Sequence, residues 1–201
     1  MANTKAYYHV KGVSDFEAGK PQAMPAVKSW QSVAYASGYN SARLDKEYRD
    51  KSAEITATTD VIQNDIDSFV NGYLVAALWS STDTLPGSRD KSGDGEMVNL
   101  DNYEWAPGQE YQLMGECLDF IQANATDLIQ YEEQKTHAPG YDAWECAGHD
   151  FWLTRCGHGV GFWDRGLGEL GQRLTEASNA FGNIDLYLGD DEQVYAAGYE
   201  G

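Results

Sequence analysis

Residues 147 to 166 read AGHDFWLTRCGHGVGFWDRG, two His, two Asp, two Arg and a Cys within twenty positions. Imidazoles change charge near neutral pH, so His149 and His158 are candidate general acids or bases. Asp150 or Asp164 can orient an imidazole, and Arg155 or Arg165 can hold a carboxylate or phosphate through two parallel hydrogen bonds. Glycines at 157, 159 and 161 let a substrate approach the backbone closely. His149, Asp150, Arg155, His158 and Asp164 together would equip a hydrolase or transferase. A nucleophile is the weak point, since only Thr154 and Cys156 are at hand. Cys146-x-x-His149 and Cys156-x-His158 also offer four nitrogen and sulfur ligands of the kind zinc takes. The six residues between the two pairs are too short a gap for a known finger, and no metal is assigned. A structural reading competes: a glycine-rich turn anchored by Phe151, Trp152, Phe162 and Trp163, with Asp164–Arg165 and Asp150–Arg155 ion pairs satisfying its buried polar groups. That reading carries more weight, because core turns with a packed histidine are commoner than catalytic ones.

Other chemistry is scarce. The chain holds no P-loop, no GxGxxG on a strand, no GxSxG and no HExxH. Asp90, Ser92, Asp94 and Glu96 alternate as in a calcium loop. They lack its glycine at position six and its glutamate at position twelve, so calcium is not assigned either. No cofactor is expected.

The elements that must position these residues follow from periodicity. Ile62, Ile66, Phe69, Tyr73 and Ala77 mark one face of a helix over about 60–79, capped by Thr59 or Asp60, with an all-round apolar end at 74–79. Residues 80–108 are rich in Ser, Asp and Gly and read as a loop. A helix over about 109–124 buries Leu113, Cys117, Phe120 and Ile121, and 126–134 continues it with Leu128 and Ile129 inside. Pro139-Gly140 ends that region, and a helical turn at about 141–152 leads into the central stretch. Leu167, Leu170, Leu174, Ala177 and Phe181 make the seam of a further helix, closed by Gly182. Ile184, Leu186 and Leu188 alternate with polar neighbours, and a turn at 189–192 returns the chain as a second strand at 193–196. The fold class is therefore α+β, helices packed on a small antiparallel sheet with a C-terminal β-hairpin. Residues 1–59 show weak periodicity and short alternating pieces at 6–10 and 32–36. They read as an N-terminal arm or irregular subdomain ahead of an acidic domain at 60–201.

Charge supplies the sharpest global constraint. Lys and Arg total 14 against 32 Asp and Glu, a net charge of −18. Residues 1–50 carry seven basic and five acidic groups, whereas 51–201 carry seven basic and 27 acidic, a net of −20. Such a body repels nucleic acid and anionic membranes and suits a basic protein partner. No apolar run reaches the roughly 20 residues of a membrane helix, and the N-terminus lacks a secretory apolar segment. Three cysteines, Cys117, Cys146 and Cys156, make an odd number and no disulfide framework, which fits a reducing compartment.

The run GHDFWLTR-x-GHG-x-GFWDRG, continued by LGE-LG-x-RLTEA and FG-x-x-DLY-x-GDD, resembles a family of small acidic bacteriophage-encoded proteins of uncharacterised function. The resemblance covers about residues 142–195, extends to the ALWSS helix end and does not include the first 59 residues. It implies phage origin and action in the host cytoplasm. It also implies asparagine where this chain has Cys156, which would make a ligand or nucleophile there peculiar to this chain. Charge and context together lead to a phage accessory protein that binds and inhibits a basic nucleic-acid-processing or defence enzyme, with carboxylates imitating DNA phosphates. Asp119, Asp127, Glu132, Glu133, Asp190, Asp191 and Glu192 are the candidate contacts. The alternatives are the hydrolase or transferase above, and a virion or assembly component whose arm wraps a neighbour.

Overall fold

Ile66, Phe69, Tyr73 and Ala77 recur at helical spacing, and all four are fully buried on one face of α3 (Gln63–Ser80). In the computed structural model, which describes residues 5–22, 29–89, 94–134 and 141–197, this helix is the centre of the larger of two compact units. The units divide between Lys51 and Ser52. Asp90, Ser92 and Pro139-Gly140 lie outside the described residues.

The first unit is helical, and the alternating pieces at 6–10 and 32–36, which could have been strands, lie within its helices. It holds α1 (Lys5–Glu17) and most of α2 (Ser29–Thr58). Phe16 meets Tyr39 edge-on at 5.2 Å, and the Tyr39 hydroxyl donates to the Lys20 carbonyl at 3.0 Å. The backbones approach so closely that a methyl at Gly38 would collide with the His9 carbonyl oxygen. The charged run at 43–51 is helix, laced by i,i+4 pairs such as Arg43–Glu47 and Arg49–Asp45. Its alternating charge and lack of an apolar stripe give periodicity nothing to act on, and the charged sequence by itself is compatible with an exposed helical turn or a linker.

In the second unit, α3 packs along α5 (Ala143–Arg155), the most extensive contact between elements among the described residues. Two glycines make that possible. A Cβ at Gly72 would run into the Glu145 carbonyl oxygen, and one at Gly148 into that of Phe69. Removing both side chains lets the two backbones touch, as small residues do wherever helices approach closely. Phe120 of α4 (Gln109–Glu133) stacks on Phe151 at 4.0 Å, and α6 (Glu169–Asn179) closes the layer with Leu170 and Leu174. Helix α4 is broken at Asn124 (φ −123°, ψ 19°), whose side chain donates to the Phe120 carbonyl at 2.9 Å. Leu128 beyond the break is buried, but Ile129 is only half-buried.

The α+β class stands, with small sheets beside a mainly helical core. Strands β3 (Leu186–Leu188) and β4 (Val194–Ala196) form the C-terminal hairpin, in the register Leu186↔Ala196 and Leu188↔Val194. Their alternation holds: Leu186 and Leu188 point inward and Tyr187 outward. The expected loop at 80–108 contains a second antiparallel pair, β1 (Thr82–Thr84) with β2 (Met97–Asn99), and a 3-10 turn at Leu100–Asn102. These strands are three residues long and mostly polar, too short to announce themselves. The Asp83 carboxylate ties the two hairpins together by accepting from the Leu188 N–H at 2.7 Å.

Two further differences concern α3. Its cap is neither Thr59 nor Asp60: the helix starts after Ile62, whose N–H donates to Asp65 at 3.1 Å. Ile62 is therefore exposed rather than on the apolar face. The expected burial at 74–79 is partial, since Val75 and Trp79 stay exposed at 43% and 47%.

Candidate functional site

Half of the glycine-rich stretch is not a loop, because Ala147–Arg155 completes α5. The helix begins at Asp142, whose carboxylate accepts from the Trp144 and Glu145 N–H groups at 2.8 and 3.1 Å. It ends in a Schellman turn. Gly157 takes φ 65°, its N–H donates to Thr154 O at 3.2 Å, and the His158 N–H donates to Leu153 O at 2.9 Å. This turn places His158 beside Leu153, which lies one helical turn beyond His149.

The residues of the proposed acid–base constellation then separate. Asp150 is fully buried, and its carboxylate is taken up by Arg165 and Tyr131 rather than by a histidine. Its two oxygens accept from Arg165 Nε at 3.1 and 2.9 Å and from Arg165 Nη2 at 2.5 Å, while the Tyr131 hydroxyl donates to it at 3.0 Å. Burial pushes the Asp150 carboxyl up, against the pull of Arg165 and Tyr131, and the carboxylate in turn raises the Arg165 guanidinium. Arg155 is sealed inside. It donates to the Tyr73 hydroxyl at 2.7 Å, to the Gly182 and Phe181 carbonyls at 2.8 and 3.0 Å, and to Glu116. Arg155 therefore clamps the C-terminal end of α6 and has no donor directed at a substrate. The expected Asp150–Arg155 and Asp164–Arg165 pairs are replaced by Asp150–Arg165 and Glu116–Arg155, and Asp164 is exposed. Sequence adjacency suggested the wrong partners, because a helix of this length carries Asp150 and Arg155 to different sides.

Neither candidate nucleophile is poised. The buried Thr154 hydroxyl accepts from the Phe162 N–H at 3.1 Å. The Cys156 thiol leans toward the Ile184 carbonyl at 3.8 Å, and burial raises its proton affinity, the opposite of activation. Among the described residues no three His, Cys, Asp or Glu side chains converge as ligands of a metal ion would.

What does converge is a cleft of about 540 Å³ on the α3–α5 face. Trp79, Leu153 and Val160 give it an apolar lining, and Ser80, His149, His158 and Arg165 its polar groups. Trp79 and His149 face each other at 6.4 Å between ring centroids, tilted by 35°. Desolvation lowers the His149 pKa below 6.5, so its imidazole is neutral at physiological pH. The Ser80 hydroxyl is held by Trp152 Nε1 at 2.8 Å and the Ala76 carbonyl at 2.7 Å. Trp79 and Ser80 are not among the sequence candidates, whereas Arg165 is one of the two arginines offered as an anion clamp. The apolar run at 74–79 reads as core, but Trp79 stands in the last turn of the helix outside the seam of Phe69, Tyr73 and Ala77, which marks it as a surface aromatic.

The acidic candidates also sort themselves. Asp119, Glu132, Glu133, Asp190, Asp191 and Glu192 are exposed. Asp127 is half-buried and bonded by Arg173 Nε and Nη2 at 2.9 and 2.8 Å, so its charge is largely answered within the fold. Asp191 accepts from the Tyr195 hydroxyl at 2.9 Å and helps shape the β3–β4 turn, where Glu192 has φ 58°. Glu132 accepts from Trp144 Nε1 at 3.0 Å. Burial raises the Asp65 carboxyl, opposed by the Ile62 N–H, and Glu132 and Asp142 add to the rise, so these three acids form one local concentration of charge. Asp65 and Asp142 were missed because they are distant in sequence from 132–133. Compared with known proteins, the chain matches no family model, no curated protein and no solved structure.

Proposed function

We propose that the protein is a phage accessory factor that works by binding, and that its acidic face occupies the basic nucleic-acid groove of a host processing or defence enzyme. One observation carries this reading. Of the seven cations in residues 51–201, Arg155, Arg165 and Arg173 are each paired with a carboxylate of the same fold. The 27 acidic groups of that region therefore meet very little compensating charge at the surface. Duplex DNA presents one charge per roughly 1.7 Å of axis, and carboxylates fixed on a helix end and a tight turn can offer a comparable rigid array. Glu132 and Glu133 at the end of α4, beside Asp65 and Asp142, supply one such array; Asp190, Asp191 and Glu192 supply another.

The test is affinity capture from phage-infected cells, followed by mass spectrometry and by elution with duplex DNA. The reading expects a basic nucleic-acid enzyme that DNA displaces. Recovery of capsid proteins alone, or of the protein itself from purified virions, would favour an assembly component instead. The hydrolase or transferase reading keeps one supporting observation, the shared cleft of His149 and His158. It requires His158→Ala to abolish turnover of some substrate without loss of stability, whereas the binder reading expects that variant to retain its partner.

A further inference from the structure

The cleft between Trp79 and His158 is an exception on this molecule. In a chain with 32 acidic residues, no Asp or Glu among the described residues lines it, while two histidines and an arginine do. Its size falls within the roughly 300–1,000 Å³ of small-molecule sites, and its make-up, apolar walls with a few convergent polar groups, is theirs too.

The arginine among these polar groups is held in place. Asp150, with no exposed surface, grips Arg165 through Nε and Nη2. The third guanidinium nitrogen, Nη1, has no hydrogen-bond partner among the described residues. A guanidinium fixed from behind keeps its remaining donor available without an ordering cost at binding. His158 is exposed on the Schellman turn, next to Gly159, whose missing side chain lets a ligand reach the backbone. Trp79, 47% exposed, gives a flat apolar face opposite the His149 ring.

We infer that this cleft binds a planar aromatic ring bearing an oxyanion, the ring against Trp79 and the oxyanion on Arg165 Nη1 and His158. A nucleoside monophosphate and an aromatic carboxylate share that chemistry. The inference is independent of the acidic-face reading, because it uses none of the carboxylates that reading invokes.

The experiment is calorimetric and tryptophan-fluorescence titration of the full chain. One arm uses the four common ribonucleoside monophosphates and the other indole-3-acetate, with the parent nucleosides and inorganic phosphate as controls. Saturable binding in one arm is expected, with shifts of the His149 and His158 imidazole proton resonances and weak or no binding of the controls. Trp79→Ala and His158→Ala should each weaken that binding about tenfold, equivalent to about 1.4 kcal/mol. Both side chains are exposed, so thermal unfolding should change little, and either variant alone suffices if the other folds poorly. Binding in the first arm assigns a phosphate ligand, and binding in the second a carboxylate. Absence of binding in both arms up to ~1 mM, about 4 kcal/mol of affinity, overturns the inference. So does equal affinity of the controls, or of both variants and the parent protein. Neutralising Glu132 and Glu133 should leave this binding unchanged, which separates its failure from failure of the acidic-face reading.

Discussion

Arg155 has no exposed side-chain surface and satisfies four acceptors from three parts of the fold. Replacing it with methionine removes the guanidinium from Glu116 and from two carbonyls, and breaking such a buried pair costs about 3 kcal/mol or more. Arg155→Lys should recover only part of this, since an ammonium lacks the planar fork that spans Tyr73, Phe181 and Gly182. Chemical denaturation of both variants checks the order: parent, lysine, methionine. His149 makes a separate prediction. Its folded pKa lies below 6.5, so the unfolded chain binds the proton more tightly and stability falls as pH drops through 6.5 toward the lowered value. The melting temperature of the parent minus that of His149→Gln should therefore decrease over that interval; a flat difference would contradict the assigned desolvation. At this scale the sequence was legible in type and not in partnership. That both Arg and a neighbouring Asp would be used within the fold could be read from AGHDFWLTRCGHGVGFWDRG, although Asp164, expected to pair with Arg165, is exposed instead. Which would pair could not, because Glu116 is 39 residues from Arg155 and only the packing of α4 against α5 brings them together.

The contact of α3 with α5 is the element on which the cleft depends, since Trp79 and Ser80 come from one helix and His149 and Leu153 from the other. Gly148→Ala should push the helices apart and cost about 3 kcal/mol, at the upper end for overpacking a close contact. Gly115→Ala, within α4, is the matched control. A methyl there meets nothing within 4 Å, so relief of glycine's chain entropy should stabilise the helix by about 0.5–1 kcal/mol. Opposite signs in the two variants are the expected result, measured by thermal unfolding. The helices themselves were visible wherever an apolar stripe had to be buried, as in Leu113, Cys117 and Phe120 or Leu170 and Leu174. In residues 43–51 the helix is solvated on its charged faces and periodicity carries no information, so the sequence leaves an exposed helical turn and a linker both open. The C-terminal hairpin was readable because Leu186 and Leu188 alternate with outward residues around a GDDE turn. The β1–β2 pair was not, because strands of three residues, Thr-Asp-Thr and Met-Val-Asn, are too short to show an alternation.

Across the whole molecule, charge remains the property that most restricts function, and the fold concentrates it. Arginines that might have balanced the surface are held by Asp127, Asp150 and Glu116, and acids remote in sequence gather at the start of α3, the end of α4 and the start of α5. The sign and size of the charge could be counted from the sequence, but its grouping required the helix ends to be brought together. Electrostatic association of this kind weakens with ionic strength, because the screening length shortens from about 10 Å at 0.1 M to about 3 Å at 1 M. The decisive measurement is the affinity for the captured enzyme as a function of salt. It should be made with the parent chain and with a folded variant carrying Glu132→Gln, Glu133→Gln, Asp190→Asn, Asp191→Asn and Glu192→Gln. The acidic-face account predicts affinity that falls steeply with salt in the parent and is largely lost in the variant. Affinity independent of salt, or undiminished in the variant, would contradict it.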